Sequence, residues 1–163
     1  MQVLLHPAVL ATGSLTALAA AFAFQHLGGL EPCSLCIWQR WPHVATALFA
    51  VLSLGLRQPG AAVALGMAGL AALAGTGLAG FHIGVEQHWW PGLAACEGGS
   101  SAKTVAELRE HLLNAASTRC DEVAWSFLGL SMAAWNGLLS LALLGLAAGA
   151  LKRAIQASGD KTP

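Results

Sequence analysis

Residues Ala61 to Phe81 read AAVALGMAGLAALAGTGLAGF, 21 positions without a charged side chain. A helix rises about 1.5 Å per residue, so this run reaches about 30 Å, the thickness of a bilayer's hydrocarbon core. Working outward, three more low-charge runs of spanning length stand at Pro7–Leu27, Cys36–Leu56 and Trp125–Leu151. Over all 163 residues, 56% are hydrophobic and 10% charged. The pattern predicts an all-α membrane protein, a bundle of four transmembrane helices at 7–27, 36–56, 61–81 and 125–151, forming a single membrane domain over 1–163. Gly66, Gly69, Gly77, Gly80 and Gly84 punctuate the third run, and small residues let helix backbones approach closely in lipid. A signal peptide is the competing reading of the first run, but Met1 to Pro7 lacks a basic region. Net charge is zero, so no basic face nominates nucleic acid.

The connection between the second and third runs is only Arg57-Gln58-Pro59-Gly60, while the loops at 28–40 and 82–124 hold all four cysteines on the other side. Positive charge alone does not orient the bundle, since Arg57, Lys152, Arg153 and Lys161 face Arg40, Lys103, Arg109 and Arg119. Short loops and helix ends weigh most in that rule, which places Arg57 and the 152–163 tail, hence both termini, in the cytoplasm. Trp38, Trp41, Trp89, Trp90 and Trp125 mark an interface on the cysteine side. Paired thiols persist as disulfides outside the cytosol, so both long loops are expected in the periplasm of a bacterial inner-membrane protein.

Cys33-Ser34-Leu35-Cys36 is a C-x-x-C run, whose spacing brings two sulfurs within reach and makes the pair exchangeable. If the chain is helical from Cys36, Arg40 shares its face and can stabilise a thiolate or a developing oxyanion. Pro42 favours a first-turn position and allows the alternative that regular helix begins near Trp41. Snorkelling to headgroups is the bland reading of Arg40. No second C-x-x-C or paired histidine completes a zinc tetrahedron, so no metal is expected.

Cys96 and Cys120 lie in the second loop, with a connector, Glu97 to Ser101, after the former. From Thr104 a capping box with Glu107, and Val105, Leu108, Leu112 and Leu113 on one face, predict a short amphipathic helix at the interface. A disulfide between Cys96 and Cys120 would brace the loop by about 3 kcal/mol in the entropy model. Exposure of that loop argues instead for exchange with an incoming thiolate.

Pro32-Cys33-Ser34-Leu35-Cys36-Ile37-Trp38-Gln39-Arg40 resembles the P-C-x-L-C-x-x-Q/E-R signature of the disulfide bond formation protein B (DsbB) family, and Phe127-Leu128-Gly129-Leu130-Ser131-Met132 resembles its F-L-G-L-x-M stretch. Vitamin K epoxide reductases carry their C-x-x-C late in the chain and fit less well. The resemblance implies a quinone-dependent thiol:disulfide oxidoreductase with Cys33, Cys36, Cys96 and Cys120 as redox cysteines. It implies that Cys96 takes the thiol of a DsbA-like periplasmic thioredoxin-fold partner at a Cys96–Cys120 disulfide. Electrons then pass to Cys33–Cys36, and Cys36 donates to ubiquinone or menaquinone beside Arg40. In this picture His82 lines the quinone site and Glu86, one turn on, orients it; an ordinary interfacial histidine is the alternative. His6, His26, His43, His88 and His111 find no partner in the sequence and receive no role. The rival from another class is a non-catalytic membrane scaffold or small transporter with two structural disulfides.

Overall fold

A computed structural model describes the chain at residues 2–93, 104–106, 109 and 119–159. Among these residues it has four helices, α1 (Gln2–His26), α2 (Ser34–Gly55), α3 (Gly60–Glu86) and α4 (Met132–Gly159). A two-residue antiparallel ladder, β1 (Ser126–Phe127) on β2 (Leu130–Ser131), precedes α4 and pairs Ser126 with Ser131 and Phe127 with Leu130. The helices form a ring in which α2 packs on α1 and α3, and α4 closes between α3 and α1.

Small side chains permit that ring. Ala68, Ala72 and Ala79 of α3 and Ala147, Ala150 and Ala154 of α4 are all buried. A Cβ on Gly75 would stand 3.2 Å from the Pro42 ring and 3.1 Å from Ser140 Oγ, so glycine there lets α3 touch α2 and α4 at once. Leu10, Ala50, Leu65, Leu143 and Ala147 form one core cluster, whereas Cys33, Leu35, Val85 and Cys120 form a second around the thiols.

Large apolar side chains cover the outside: Val63 is 65% exposed, Leu70 59% and Leu141 54%. Water would penalise such a surface and lipid would not. His6–His26, Gly60–Glu86 and Met132–Gly159 are long and apolar enough to cross a membrane. The 22-residue α2, whose first half carries Gln39, Arg40 and His43, falls outside that group, a difference from the expected four spans.

Element boundaries also depart from expectation, for local reasons. Helix α2 starts at Ser34 because Cys33 acts as its N-cap, its sulfur accepting the Cys36 amide at 3.2 Å; Pro42 therefore lies inside the helix, not in its first turn. Helix α3 runs on to Glu86, so His82 and Glu86 sit within it. It ends when His88 turns left-handed (φ 59°) and the amides of His88 and Trp89 bond back to Val85 and Gly84. The apolar run from Trp125 is not the opening of the last helix: Leu128 (φ 52°) and Gly129 (φ 78°) make a hairpin turn, and Ser131 Oγ then accepts the Ala134 amide to start α4. That hairpin is a small exception to the all-α expectation. Lys152 and Arg153 lie within α4 and not in a tail. Of the expected interfacial helix, Val105, Ala106 and Arg109 are helical and the rest lies outside the described residues.

Replacing Gly75 with Val drives a branched side chain into Pro42 and Ser140, and overpacking of this kind costs roughly 1–3 kcal/mol. Gly77 has open space where its Cβ would stand and is exposed. Denaturant unfolding in detergent micelles is therefore expected to shift clearly for Gly75→Val and little for Gly77→Val.

Candidate active site

The C-x-x-C run folds as a helix entry. Cys33 is buried at the N-cap and Cys36 is half-buried in the first turn, their sulfurs 2.9 Å apart and both free. First-turn amides present partial positive charge toward the Cys33 sulfur. From α3, His82 Nε2 approaches that sulfur to 3.7 Å. The hydrogen bond from Cys36 holds the Cys33 thiol far below the ordinary thiol range; burial opposes the shift and His82 adds to it. Sequence spacing pointed to Cys36 as the stabilised thiolate, with Arg40 as its partner; the geometry favours Cys33, with Cys36 and His82.

A cavity of about 570 Å³ opens beside the thiols. Ala17, Ala21 and Phe24 of α1 give it an apolar wall, Cys36, Gln39 and Arg40 of α2 and His82 and Glu86 of α3 a polar one, and Trp135 and Asn136 of α4 close it. The Arg40 guanidinium stacks over Phe22 at 4.7 Å, and its Nε is buried without a hydrogen-bond partner. A guanidinium lining a largely apolar cavity suits a ligand that brings an acceptor oxygen.

His82 is oriented by Gln39, whose Nε2 lies 2.7 Å from His82 Nδ1, and not by Glu86. Glu86 instead accepts from Ser131 Oγ at 2.5 Å, tying the end of α3 to the hairpin. Asn136 Nδ2 bonds Gln39 Oε1 at 2.5 Å, and His43 Nε2 lies 2.7 Å from Asn136 Oδ1. Sequence reasoning missed Gln39 as a site residue, gave His43 no role and did not single out Asn136. The available signal was an amide amid the Ala, Leu and Gly of α4, since polar side chains in apolar helices face partners.

Cys120 is fully buried, packed with Cys33, Leu35 and Val85, and is disulfide-bonded. This corrects the expectation of an exposed sulfur: the loop folds its cysteine onto the C-x-x-C end of the bundle. Its neighbours stay at the surface, Arg119 bridging Asp121 in two contacts of 2.9 and 2.6 Å and holding that carboxyl down to about 2. Cys96 lies outside the described residues. Cys33 Sγ, Cys36 Sγ and a His82 ring nitrogen lie within 4.8 Å of one another, three donors where a tetrahedral zinc site takes four.

Apolar helices ringed around a thiol pair and an imidazole define a membrane protein of thiol–disulfide chemistry. Residues 5–150 match the family described as disulfide bond formation protein DsbB. The protein "Disulfide bond formation protein B" of Herminiimonas arsenicoxydans is 34% identical over 127 residues, covering 77% of this chain and 80% of that one. Its namesake in Methylococcus capsulatus is 37% identical over 142 residues, covering 80% and 81%. That of Aromatoleum aromaticum is 39% identical over 127 residues, covering 69% and 70%. The chain belongs to the DsbB family, as its signature residues indicated, and is a membrane oxidoreductase of disulfide bond formation.

A thiol reacts as its thiolate, so Cys33 of the reduced chain gains reactivity above its own lowered pKa and loses it only as pH falls through that value. Site-resolved iodoacetamide labelling is expected to stay fast well below pH about 8.5, the ordinary thiol midpoint. In Cys36→Ala, which removes the donor thiol, the midpoint should move up toward that ordinary value.

Proposed function

We propose that this chain reoxidises a DsbA-like periplasmic protein and passes the electrons through two cysteine pairs to a membrane quinone. The observation that carries the reading is the shared cavity: a free thiol pair and the Arg40 side chain line one largely apolar space of about 570 Å³. A quinone, ubiquinone or menaquinone, supplies there an acceptor for two electrons and two protons. Arg40 would hold its carbonyl oxygen, and the α1 wall would exclude water from the ring.

The remaining steps belong to the cysteines. Cys96 takes the partner's thiolate, forming a mixed disulfide and releasing Cys120 as a thiolate. The partner's second thiolate then closes its own disulfide and frees Cys96. Cys120 attacks Cys33, its neighbour in the buried cluster, and the electron pair of the Cys33–Cys36 bond leaves on Cys36. Attack of Cys96 on Cys120 closes that pair again and releases Cys33. Cys33 and Cys36 now hold both electrons beside the cavity. His82 lies against Cys33, its Nε2 at 3.7 Å from the sulfur. The short Arg57 turn, with Lys152 and Arg153 near the far end of α4, supports a bacterial inner-membrane placement with both termini cytoplasmic.

One observation favours a second reading: a fully buried Cys120 also suits a structural disulfide in a membrane scaffold. Turnover separates the two. Purified protein fed a reduced DsbA-type partner is expected to reduce quinone, and Cys36→Ala and Cys96→Ala to abolish it. Arg40→Gln should lower kcat/KM for the quinone about tenfold or more, the worth of one charge-assisted hydrogen bond. Absence of quinone reduction by the native chain with any such partner, with the Cys120 disulfide resisting mild reductant, sinks the oxidase reading.

A further inference from the structure

Four side chains from three helices make one line of hydrogen bonds that ends on the Cys33 sulfur. It runs from His43 Nε2 to Asn136 Oδ1 (2.7 Å), from Asn136 Nδ2 to Gln39 Oε1 (2.5 Å), from Gln39 Nε2 to His82 Nδ1 (2.7 Å) and from His82 Nε2 to Cys33 Sγ (3.7 Å). Gln39, His43 and His82 are each no more than 6% exposed. A carboxamide has one donating and one accepting end, so the two amides in series can point only one way together: turning either alone sets N–H against N–H or oxygen against oxygen. The sulfur decides the direction. A thiolate only accepts, which puts the imidazole proton on Nε2, leaves Nδ1 to accept from Gln39, and aligns every donor toward Cys33.

We propose that Gln39, Asn136 and His43 are positioning residues whose aligned hydrogen bonds hold His82 as its Nε2–H tautomer, so that it presents a proton to Cys33 whenever that sulfur carries an electron pair. The inference deepens the proposed reaction and rests on it for the moments at which Cys33 is released. When Cys96 attacks Cys120 in a Cys33–Cys120 disulfide, a Cys96–Cys120 bond forms, the old bond breaks, and its electron pair leaves on Cys33. An Nε2–H already facing that sulfur stabilises the leaving thiolate without first reorienting. His43 lies seven residues beyond Cys36, roughly 10 Å deeper along α2. Along that line each amide end is paired with its neighbour in the chain of bonds, which is what makes the alignment persistent.

The first measurement is the tautomer of His82 in the reduced, full-length protein in detergent micelles, read from nitrogen chemical shifts of ¹⁵N-histidine-labelled chain and assigned by difference with His82→Gln. The expected result is the Nε2–H form. In Asn136→Leu, which removes both contacts of that amide, His82 should populate both tautomers, and site-resolved alkylation of Cys33 near neutral pH should slow roughly three- to tenfold, the worth of one net hydrogen bond. His43→Phe should move both readouts the same way by less. A native His82 with its proton on Nδ1 overturns the proposal, as does an Asn136→Leu chain whose spectrum and labelling rate match the native ones. Should Asn136→Leu not fold, the native spectrum and His43→Phe still decide. Neither readout uses a quinone or a partner protein, so failure of quinone turnover would overturn the proposed function and leave this result separately legible.

Discussion

Hydrocarbon offers a polar atom no hydrogen-bond partner, and this constraint governs where most polar side chains of the bundle go. Several hydroxyls on the helices bond backward to their own backbone, Thr76 to the Ala72 carbonyl at 2.9 Å, Ser53 to Ala50 at 2.7 Å and Ser158 to Ala154 at 3.0 Å, while the buried Ser14 and Ser140 hydroxyls do not. Longer polar side chains cannot do this and must find each other. Gln39 and His43 of α2, His82 of α3 and Asn136 of α4 meet in the interior because only there can all of them be paired at once. Small residues around Gly75 keep the helices near enough for short side chains to span the gap. The redox end of the molecule is thus a consequence of how α2, the most polar helix, is reconciled with an apolar surrounding.

Fold and site were legible in the sequence to different depths. Runs of apolar residues located four helices, because length and hydropathy are local properties. Their ends were less visible. The apolar stretch from Trp125 to Leu130 has the composition of a membrane helix, yet Leu128 and Gly129 turn it into a hairpin, and nothing in hydropathy distinguishes the two. Likewise His88, a non-glycine residue in the left-handed region, gave no sign that α3 would carry on to Glu86. Cys33, Cys36, Arg40 and His82 could be named because three stand in one short signature and the fourth ends an apolar run. Gln39 lies within that signature, but its partners His82 and Asn136 are 43 and 97 positions away, and pairing at such separation depends on how the helices rotate against one another. The burial of Cys120 was hidden for the same reason, since a loop's composition does not reveal where it folds back.

The cysteine pair gains from standing at a helix start and not within a helix. The Cys33 sulfur caps α2, so the hydrogen bond that satisfies the Cys36 amide at the helix start also polarises that sulfur. A cap of serine or threonine would satisfy the same amide but could not form a disulfide. The fold thereby places a thiol at the start of the helix that carries Gln39, Arg40 and His43.

Arg40 forms no ion pair with the other charged group of α2 and α3 that lines the same cavity, Glu86. Its carboxylate accepts from Ser131 Oγ, and the same Ser131 oxygen accepts the Ala134 amide, so the acid belongs to the junction of hairpin and α4. An Arg40–Glu86 pair would neutralise the cavity from within and leave no donor for a bound oxygen. With Glu86 committed to Ser131, the guanidinium rests on the Phe22 ring, which partly compensates its charge without occupying its N–H groups. The same contact fixes the segment after Cys120 to the turn of α3 that carries His82, since Glu86 is one helical turn from it. The Ser131–Glu86 hydrogen bond and the packing of Cys120 on Cys33, Leu35 and Val85 together join the hairpin segment to the end of the bundle that carries the thiol pair.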